Sequence, residues 1–219
     1  MNKEWSLFNK TMQIQLKKEE TYKEGIQTLL KLRQELFDEI YCFKRELKRK
    51  DFDAMPFMKA KGYHNKTIAY SLWHIFRIED IVVHSLIQND EQIFFLNRYQ
   101  KRIGSPIQTT GNELAGYQIA DFSKLLDLEE LYQYMLDVKK STDQILLNIS
   151  YNSLKRKIIR EQKEILKSLN VVSDDENACW LIDYWCKKDI RGLLQMPLSR
   201  HWIMHIEASL RIKNKILEK

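Results

Sequence analysis

Glycine and proline are scarce in this chain, which has only 6 glycines and 3 prolines in 219 residues. Sandwiches and barrels of short strands need such residues at their many tight turns, so the scarcity argues against an all-β fold. It is typical of chains built from long helices. Hydrophobic residues make up 44% of the sequence and charged residues 30%, which is ordinary for a globular protein with a sizeable core.

Apolar residues recur with the 3.6-residue period of an amphipathic helix along much of the chain. Nothing alternates convincingly with the period of 2 that marks a half-buried strand. The helical pattern predicts four long helices and two shorter ones, over 21–48, 65–88, 127–149, 198–217, 153–169 and 173–188. The sequence therefore predicts an all-α fold, and the simplest architecture is an up-down four-helix bundle with additional short helices.

The whole chain, residues 1–219, is expected to form a single helical domain, because its length suits one domain and no low-complexity linker interrupts it. The longest irregular connection is predicted over 100–126. That segment contains four of the residues that end or bend helices, Gly104, Pro106, Gly111 and Gly116.

Charge and targeting signals restrict the class of protein. The net charge is +6, from 36 basic and 30 acidic residues, and so modest an excess does not favour nucleic acid as the partner. No apolar run approaches the roughly 18 residues of a membrane span. The first residues also lack the apolar core of a signal peptide, so we expect a cytoplasmic protein. The three cysteines are an odd number, which suggests free thiols.

Histidines supply the clearest chemical signal in the sequence. His201 and His205 lie four residues apart on the last predicted helix, about 40° apart on a helical wheel, so both imidazoles can converge on one point. His74 lies at the edge of the apolar arc of its own helix, in the same half-buried position. The three are candidate metal ligands. The alternative is that they are partly buried imidazoles hydrogen-bonded to their neighbours.

Other side chains on these helices have two readings each. Glu79 lies among apolar residues, so its carboxylate must be paired or hydrogen-bonded. It is either a buried anchor to a basic or backbone partner on an adjacent helix, or a group that orients a metal-binding imidazole. Tyr70 and Arg200 are candidates for lining a pocket next to the three histidines. The alternative is that they are ordinary packing and surface residues. His84 is expected at the surface of the protein.

Several motifs of known enzymes are absent. The HExxH motif of zinc proteases would need glutamate at position 202, where Trp202 stands. No glutamate precedes a histidine by three residues, which excludes the ligand pattern of di-iron bundles. The sequence contains neither of the glycine-rich nucleotide-binding motifs, GxGxxG and GxxxxGK[ST]. It also lacks the GxSxG motif that carries the nucleophile of serine hydrolases. A candidate three-histidine site remains.

Two segments resemble the DinB/YfiT superfamily, whose members are metal-binding four-helix bundles. The sequence TIAYSLWHIFRIEDIVVHSL, over 67–86, resembles their second helix, in which a histidine follows a threonine by seven residues and a glutamate often comes five residues later. Here those residues are His74 and Glu79. The sequence PLSRHWIMH, over 197–205, resembles their last helix with its H-x-x-x-H pair. Residues 153–169 and an N-terminal extension, residues 1–20, depart from the family pattern.

The resemblance implies a divalent metal ion held by His74, His201 and His205. Three neutral nitrogen ligands suit zinc or nickel, and also iron or cobalt, and they leave coordination positions open for water or substrate. Some relatives are thiol S-transferases that use low-molecular-weight thiols such as bacillithiol or mycothiol, and many pair as homodimers. The implied function is a metal-dependent thiol S-transferase of a bacterium, of the bacillithiol type, acting on small electrophiles, or a related metal-assisted hydrolase. The alternative is a non-enzymatic, stress-related helical bundle that binds a metal or another ligand.

Overall fold

Helices and the turns between them make up the backbone of the computed structural model, which describes residues 2–218. Within that range there is no strand, and a single isolated β-bridge joins Lys157 to Asp189. The α-helices in chain order are α1 (Lys3–Gln15), α2 (Tyr22–Glu46), α3 (Ile68–Asp80), α4 (Ile93–Leu96), α5 (Tyr99–Ile103), α6 (Tyr117–Leu125), α7 (Leu128–Asn148), α8 (Tyr151–Leu154), α9 (Arg160–Ser168), α10 (Trp180–Cys186), α11 (Ile190–Gln195) and α12 (His201–Leu217). The predicted all-α class is confirmed.

Two π-helical segments interrupt the regular helices. Ile81–Gln88 continues α3 without a break, and Met196–Arg200 leads from α11 into α12. Short 3-10 turns cover Arg49–Asp51 and Gly62–Asn65. A π-turn closes its hydrogen bond one residue later than an α-turn, so it rotates every side chain that follows relative to a regular helical wheel.

Side-chain caps define where the long helices begin. The Asp127 carboxylate accepts a hydrogen bond from the backbone N–H of Glu130 at 3.0 Å. Helix α7 therefore begins directly after Asp127, at Leu128, as the sequence predicts. The hydroxyl of Thr67 accepts the N–H of Tyr70 at 3.0 Å, so α3 begins two residues later than a cap at Asn65 would place it.

The shorter predicted helices are less extensive than expected. The segment 153–169 separates into α8 and α9, and the helix predicted over 173–188 begins only at Trp180. In front of it, Ser173 and Asp175 use their side-chain oxygens to accept the backbone N–H groups two residues further on. Such local hydrogen bonds compete with helix formation. Conversely, the irregular connection predicted over 100–126 contains α6 and most of α5.

Four long helices, α2, α3, α7 and α12, pack on one another in the pairs α2–α7, α3–α7, α3–α12 and α2–α12. Their shared interior holds large side chains with no more than traces of exposure, among them Phe43, Trp73, Phe76, Tyr134 and Trp202. Helix α1 packs along α2 and buries Met12 and Trp5, so the predicted N-terminal extension is part of the core. No helix within residues 2–218 is long and apolar enough to cross a membrane.

Gly25 permits the close contact between α1 and α2. A Cβ atom at this position would lie 2.9 Å from the Leu16 side chain and 3.0 Å from the Leu16 backbone nitrogen. The residue that weakens the intrinsic helix propensity of α2 therefore lets the chain turn back tightly on it.

A buried guanidinium connects the long helices. Arg33 of α2 donates two hydrogen bonds to Glu79 of α3, at 2.8 and 2.7 Å, and one to Asp143 of α7, at 2.9 Å. It also lies 3.4 Å from the carbonyl oxygen of Leu198, in the π-helical segment before α12, and stacks over the Trp202 ring at 4.6 Å. Arg33 and Glu79 have no solvent exposure. We call Arg33, Glu79, Asp143 and the Leu198 carbonyl the Arg33 cluster.

Loss of this guanidinium is expected to destabilise the whole protein. Arg33→Met leaves the Glu79 carboxylate buried without its counter-charge, which typically costs about 3–5 kcal/mol. The measurement is the free energy of unfolding in urea. The matched control is Lys124→Met, because Lys124 forms an ion pair with Asp121 on the exposed surface and its loss should have little effect. Equal stability of Arg33→Met and the wild type would contradict the assigned role.

Candidate metal centre

Helices α3 and α12 bring three imidazoles together. His74 projects from the middle of α3, while His201 and His205 occupy the first two turns of α12. The ring centroids lie 5.0 Å apart for His74 and His201, 4.8 Å for His74 and His205, and 4.6 Å for His201 and His205. All three histidines are buried. The residues that the helical wheels select thus form one cluster, which we call the histidine cluster.

The π-helical segment before α12 sets the direction of His201. The backbone N–H of His201 donates to the carbonyl of Met196, five residues earlier. Pro197 lies inside this turn. A proline has no N–H to donate, and its ring clashes with the carbonyl four residues earlier in a regular helix. Segments of this kind occur often at functional sites, since they re-aim side chains that a regular helix would direct elsewhere.

His74 is oriented by the loop that follows α5. Its Nδ1 atom lies 2.6 Å from the carbonyl oxygen of Thr110, and because a carbonyl only accepts, Nδ1 carries the proton and Nε2 is left with a lone pair. Its ring stacks on Tyr70, with centroids 5.4 Å apart and planes 11° apart. The Tyr70 hydroxyl donates to the next carbonyl along the loop, that of Gly111, at 2.9 Å. Hydrogen bonds of this type fix the ring of a metal-binding histidine.

The other two imidazoles have nitrogen atoms without partners. The Nδ1 atoms of His201 and His205 are buried and make no hydrogen bond within residues 2–218. His84 gives the contrast, because its two ring nitrogens lie within hydrogen-bond distance of Asp90, at 2.7 Å, and Ser141, at 3.2 Å. Leaving a buried polar atom unpaired costs about 1–3 kcal/mol, so a partner for these two nitrogens would stabilise the protein.

All three imidazoles are neutral at physiological pH. Burial lowers the pKa of His74 to about 4, even though the hydrogen bond to Thr110 acts in the opposite direction. Burial also lowers the pKa values of His201 and His205 well below the ordinary range, and the neighbouring imidazoles lower them further. The neutral form is the one that coordinates metals, so no proton has to be displaced at neutral pH.

The distances suit a small cation. Each histidine offers one ring nitrogen, and these three atoms all lie within 4.8 Å of one another. A tetrahedral ion with bonds of about 2.1 Å would hold its ligand nitrogens about 3.4 Å apart, which is within that limit. Three neutral nitrogens with free lone pairs therefore fit a divalent transition metal.

A cavity of about 580 Å³ opens onto the histidine cluster. Tyr70 lines it, as the sequence suggested, and Tyr63 meets the edge of the His205 ring with centroids 4.7 Å apart. Lys66 and the aromatic side chains of α10 complete much of the wall. Sequence reasoning missed these residues, because they lie in loops and in a short helix where no periodicity indicates which side chains face the site.

Two of the expected positions differ in the structure. Arg200 does not line the cavity, but an exposed groove with Met204 and Glu207. Neighbouring residues of a helix point about 100° apart, so the side chain of Arg200 faces a different direction from that of His201. His84, expected at the surface, is buried and only 3% exposed. It lies within the π-helical segment Ile81–Gln88, where the 100° wheel does not hold.

Glu79 has the first of its two predicted environments. Both carboxylate oxygens accept hydrogen bonds from Arg33, so the side chain is a buried anchor to a basic partner on an adjacent helix. The group that orients His74 is instead the backbone carbonyl of Thr110. A carbonyl of a loop residue leaves no signature in the sequence.

Comparison with known proteins found no relative. No family model, no curated protein and no solved structure matches this chain. The fold and the site define a class, an all-helical protein with a buried group of three histidines that could hold a metal ion. The resemblance to the DinB/YfiT superfamily remains a prediction from the sequence motifs.

The metal-free protein should lose stability as the pH falls below about 6.5. The three imidazoles have folded-state pKa values below the unfolded value of 6.5, and that of His74 is about 4. Between the folded-state and unfolded pKa values, the unfolded chain binds more protons than the folded protein does. The free energy of unfolding therefore decreases by up to about 1.4 kcal/mol per pH unit for each histidine as the pH falls.

The measurement is urea unfolding of chelator-treated protein between pH 7.5 and pH 4.5, at about half-unit steps. His74→Gln removes one of the three groups, so its stability should decline less steeply with falling pH than that of the wild type. Identical pH profiles for the two proteins would show that His74 is not held neutral by the fold.

Proposed function

We propose that this protein binds one divalent metal ion through His74, His201 and His205, and that it acts as a DinB-like, metal-dependent thiol S-transferase on small electrophiles. One observation carries the proposal. Three buried, neutral imidazoles converge at the floor of a cavity, and two of them have ring nitrogens with no partner within residues 2–218. The arrangement of α2, α3, α7 and α12 is compatible with the four-helix bundle of that superfamily.

The donor set favours particular metals. Three imidazoles without a thiolate or carboxylate suit zinc or nickel first, and iron or cobalt as alternatives. Three protein ligands are the number found in catalytic zinc sites, where structural sites have four. The cavity in front of the histidine cluster gives an incoming molecule access to the remaining coordination positions.

The lining of the cavity favours thiol transfer over hydrolysis. A bound divalent cation supplies the positive charge that keeps a thiol deprotonated, and so nucleophilic, at neutral pH. No aspartate, glutamate or cysteine is among the described residues that line the cavity. A hydrolase of the zinc-protease type needs a carboxylate as its general base, whereas a thiol that is already deprotonated does not. The loop carbonyl of Thr110 holds His74 in place.

The alternative is a bundle that binds a metal or small ligand without turnover. The same histidine cluster would serve it, and the absence of a general base among the described lining residues is equally compatible with a binding protein. Consumption of a thiol in the presence of an electrophile separates the two functions.

Elemental analysis tests the metal site. Protein purified without a histidine tag should contain about one zinc, nickel, iron or cobalt ion per chain, as a three-histidine site requires. His201→Ala should lose most of it, because two imidazoles remain where three are needed. His64→Ala is the matched control, since His64 lies in the turn before α3 and contacts Arg211 rather than the histidine cluster. No metal in the wild type, even after titration with zinc and nickel, would overturn the site.

Thiol transfer is tested with bacillithiol and 1-chloro-2,4-dinitrobenzene. In this reaction the sulfur forms a bond to the ring carbon, chloride leaves, and the thiol proton passes to the buffer. The metal-loaded wild type should accelerate product formation at 340 nm, while His205→Ala and the chelated protein should fall to the uncatalysed rate. A metal-loaded wild type with no activity on bacillithiol, mycothiol or cysteine would favour the binding protein instead.

A further inference from the structure

The cavity above the histidine cluster is lined by two chemically different groups. One is the Lys66 side chain, whose ammonium lies 5.2 Å from the centre of the Tyr70 ring. The other is a group of large apolar side chains from helix α10, Trp180, Leu181, Tyr184 and Trp185. A molecule that filled this space would meet both a positive charge and an aromatic wall.

Lys66 is a cation without a counter-charge. It is only partly exposed, and no carboxylate in residues 2–218 forms an ion pair with it. Lys139 shows the usual arrangement, because its side chain is 11% exposed and its ammonium binds Asp143 at 2.6 Å. A cation withdrawn from water is ordinarily paired, so an unpaired one that faces a cavity indicates where an anion would bind.

The aromatic wall comes from the part of the chain between α7 and α12. Trp180 is half exposed and contacts Tyr184 edge to face, with ring centroids 5.7 Å apart. Trp185 is buried and also lines the cavity. A half-exposed tryptophan at the rim of a cavity presents apolar surface that a ligand could cover.

We propose that the cavity binds an amphipathic organic anion: its carboxylate pairs with Lys66 beside the histidine cluster, and its aryl or similarly apolar group packs against Trp180 and Tyr184. A volume of about 580 Å³ is within the range of cavities that take small organic ligands. The inference rests on the proposed function in one respect, since the anion would be the electrophilic substrate. Its binding can nevertheless be measured without turnover.

The probes are 3-phenylpropanoate and its neutral isostere 3-phenylpropanamide, titrated by calorimetry into zinc-loaded and metal-free protein. We expect the carboxylate to bind at least about tenfold more tightly than the amide in both forms, since a hydrogen bond to a charged group contributes that much. Lys66→Met keeps the aliphatic stem and removes the charge, so this preference should fall to near parity in the metal-free protein. Lys61→Met is the matched control, because Lys61 is an exposed neighbour that does not line the cavity.

A second pair of measurements tests the aromatic wall. Trp180→Ala should weaken the binding of 3-phenylpropanoate by about tenfold. It should leave the binding of propanoate, which lacks the ring, unchanged. Lys66→Gln repeats the charge removal with a polar side chain, so that poor folding of one variant does not decide the result. Equal binding of acid and amide by the metal-free wild type, or an undiminished preference in both Lys66 variants, would overturn the proposal. Zinc stoichiometry, measured on the same samples, reports separately whether the proposed metal site fails.

Discussion

The Arg33 cluster is the interaction on which the site depends. A guanidinium with no exposure must be matched by acceptors from every direction, and here they come from α3, α7 and the π-helical segment before α12. Glu79 lies five residues after His74, about 140° further round α3, so the helix can present its carboxylate to α2 and its imidazole to α12. Leu198 likewise lies three residues before His201. The hydrogen bonds that hold the helices together thus also fix the two segments that carry the histidines.

Burial of the histidine cluster lowers the pKa values of its imidazoles and also removes hydrogen-bond partners from two of them. The same exclusion of water that lowers the three pKa values leaves ring nitrogens of His201 and His205 without partners. A core built for stability alone would replace them with apolar residues of similar size, because unpaired buried polar atoms oppose folding. Three such residues together form a group that could hold a metal ion. Local disagreement with the rules of core packing is expected where a protein carries out its function.

The sequence was sufficient for the helices and the histidines, but not for what surrounds them. Helical periodicity located α2, α7, α12 and α3 with its π-helical continuation to within a few residues, since their apolar stripes repeat over many turns. The i, i+4 spacing of His201 and His205 survives any rotation of α12 as a whole, so their convergence followed from the spacing alone. His84 and Arg200 were misplaced for the opposite reason. The direction of His84 depends on a π-helical segment, which a regular wheel does not describe. Arg200 was expected in the pocket because it adjoins His201 in sequence, although neighbouring residues of a helix point about 100° apart.

The three candidate metal ligands and the aromatic wall of the cavity lie in different parts of this fold. The three histidines lie on long helices held by the Arg33 cluster, whereas Lys66 lies in the turn before α3 and the aromatic wall lies on the short helix α10. Side chains in short connections can change without disturbing the packing of the long helices. Helix α10, between α7 and α12, contributes Trp180, Tyr184 and Trp185 to the lining of the cavity. A substitution there would change that lining and leave the long helices that carry the three histidines unaltered.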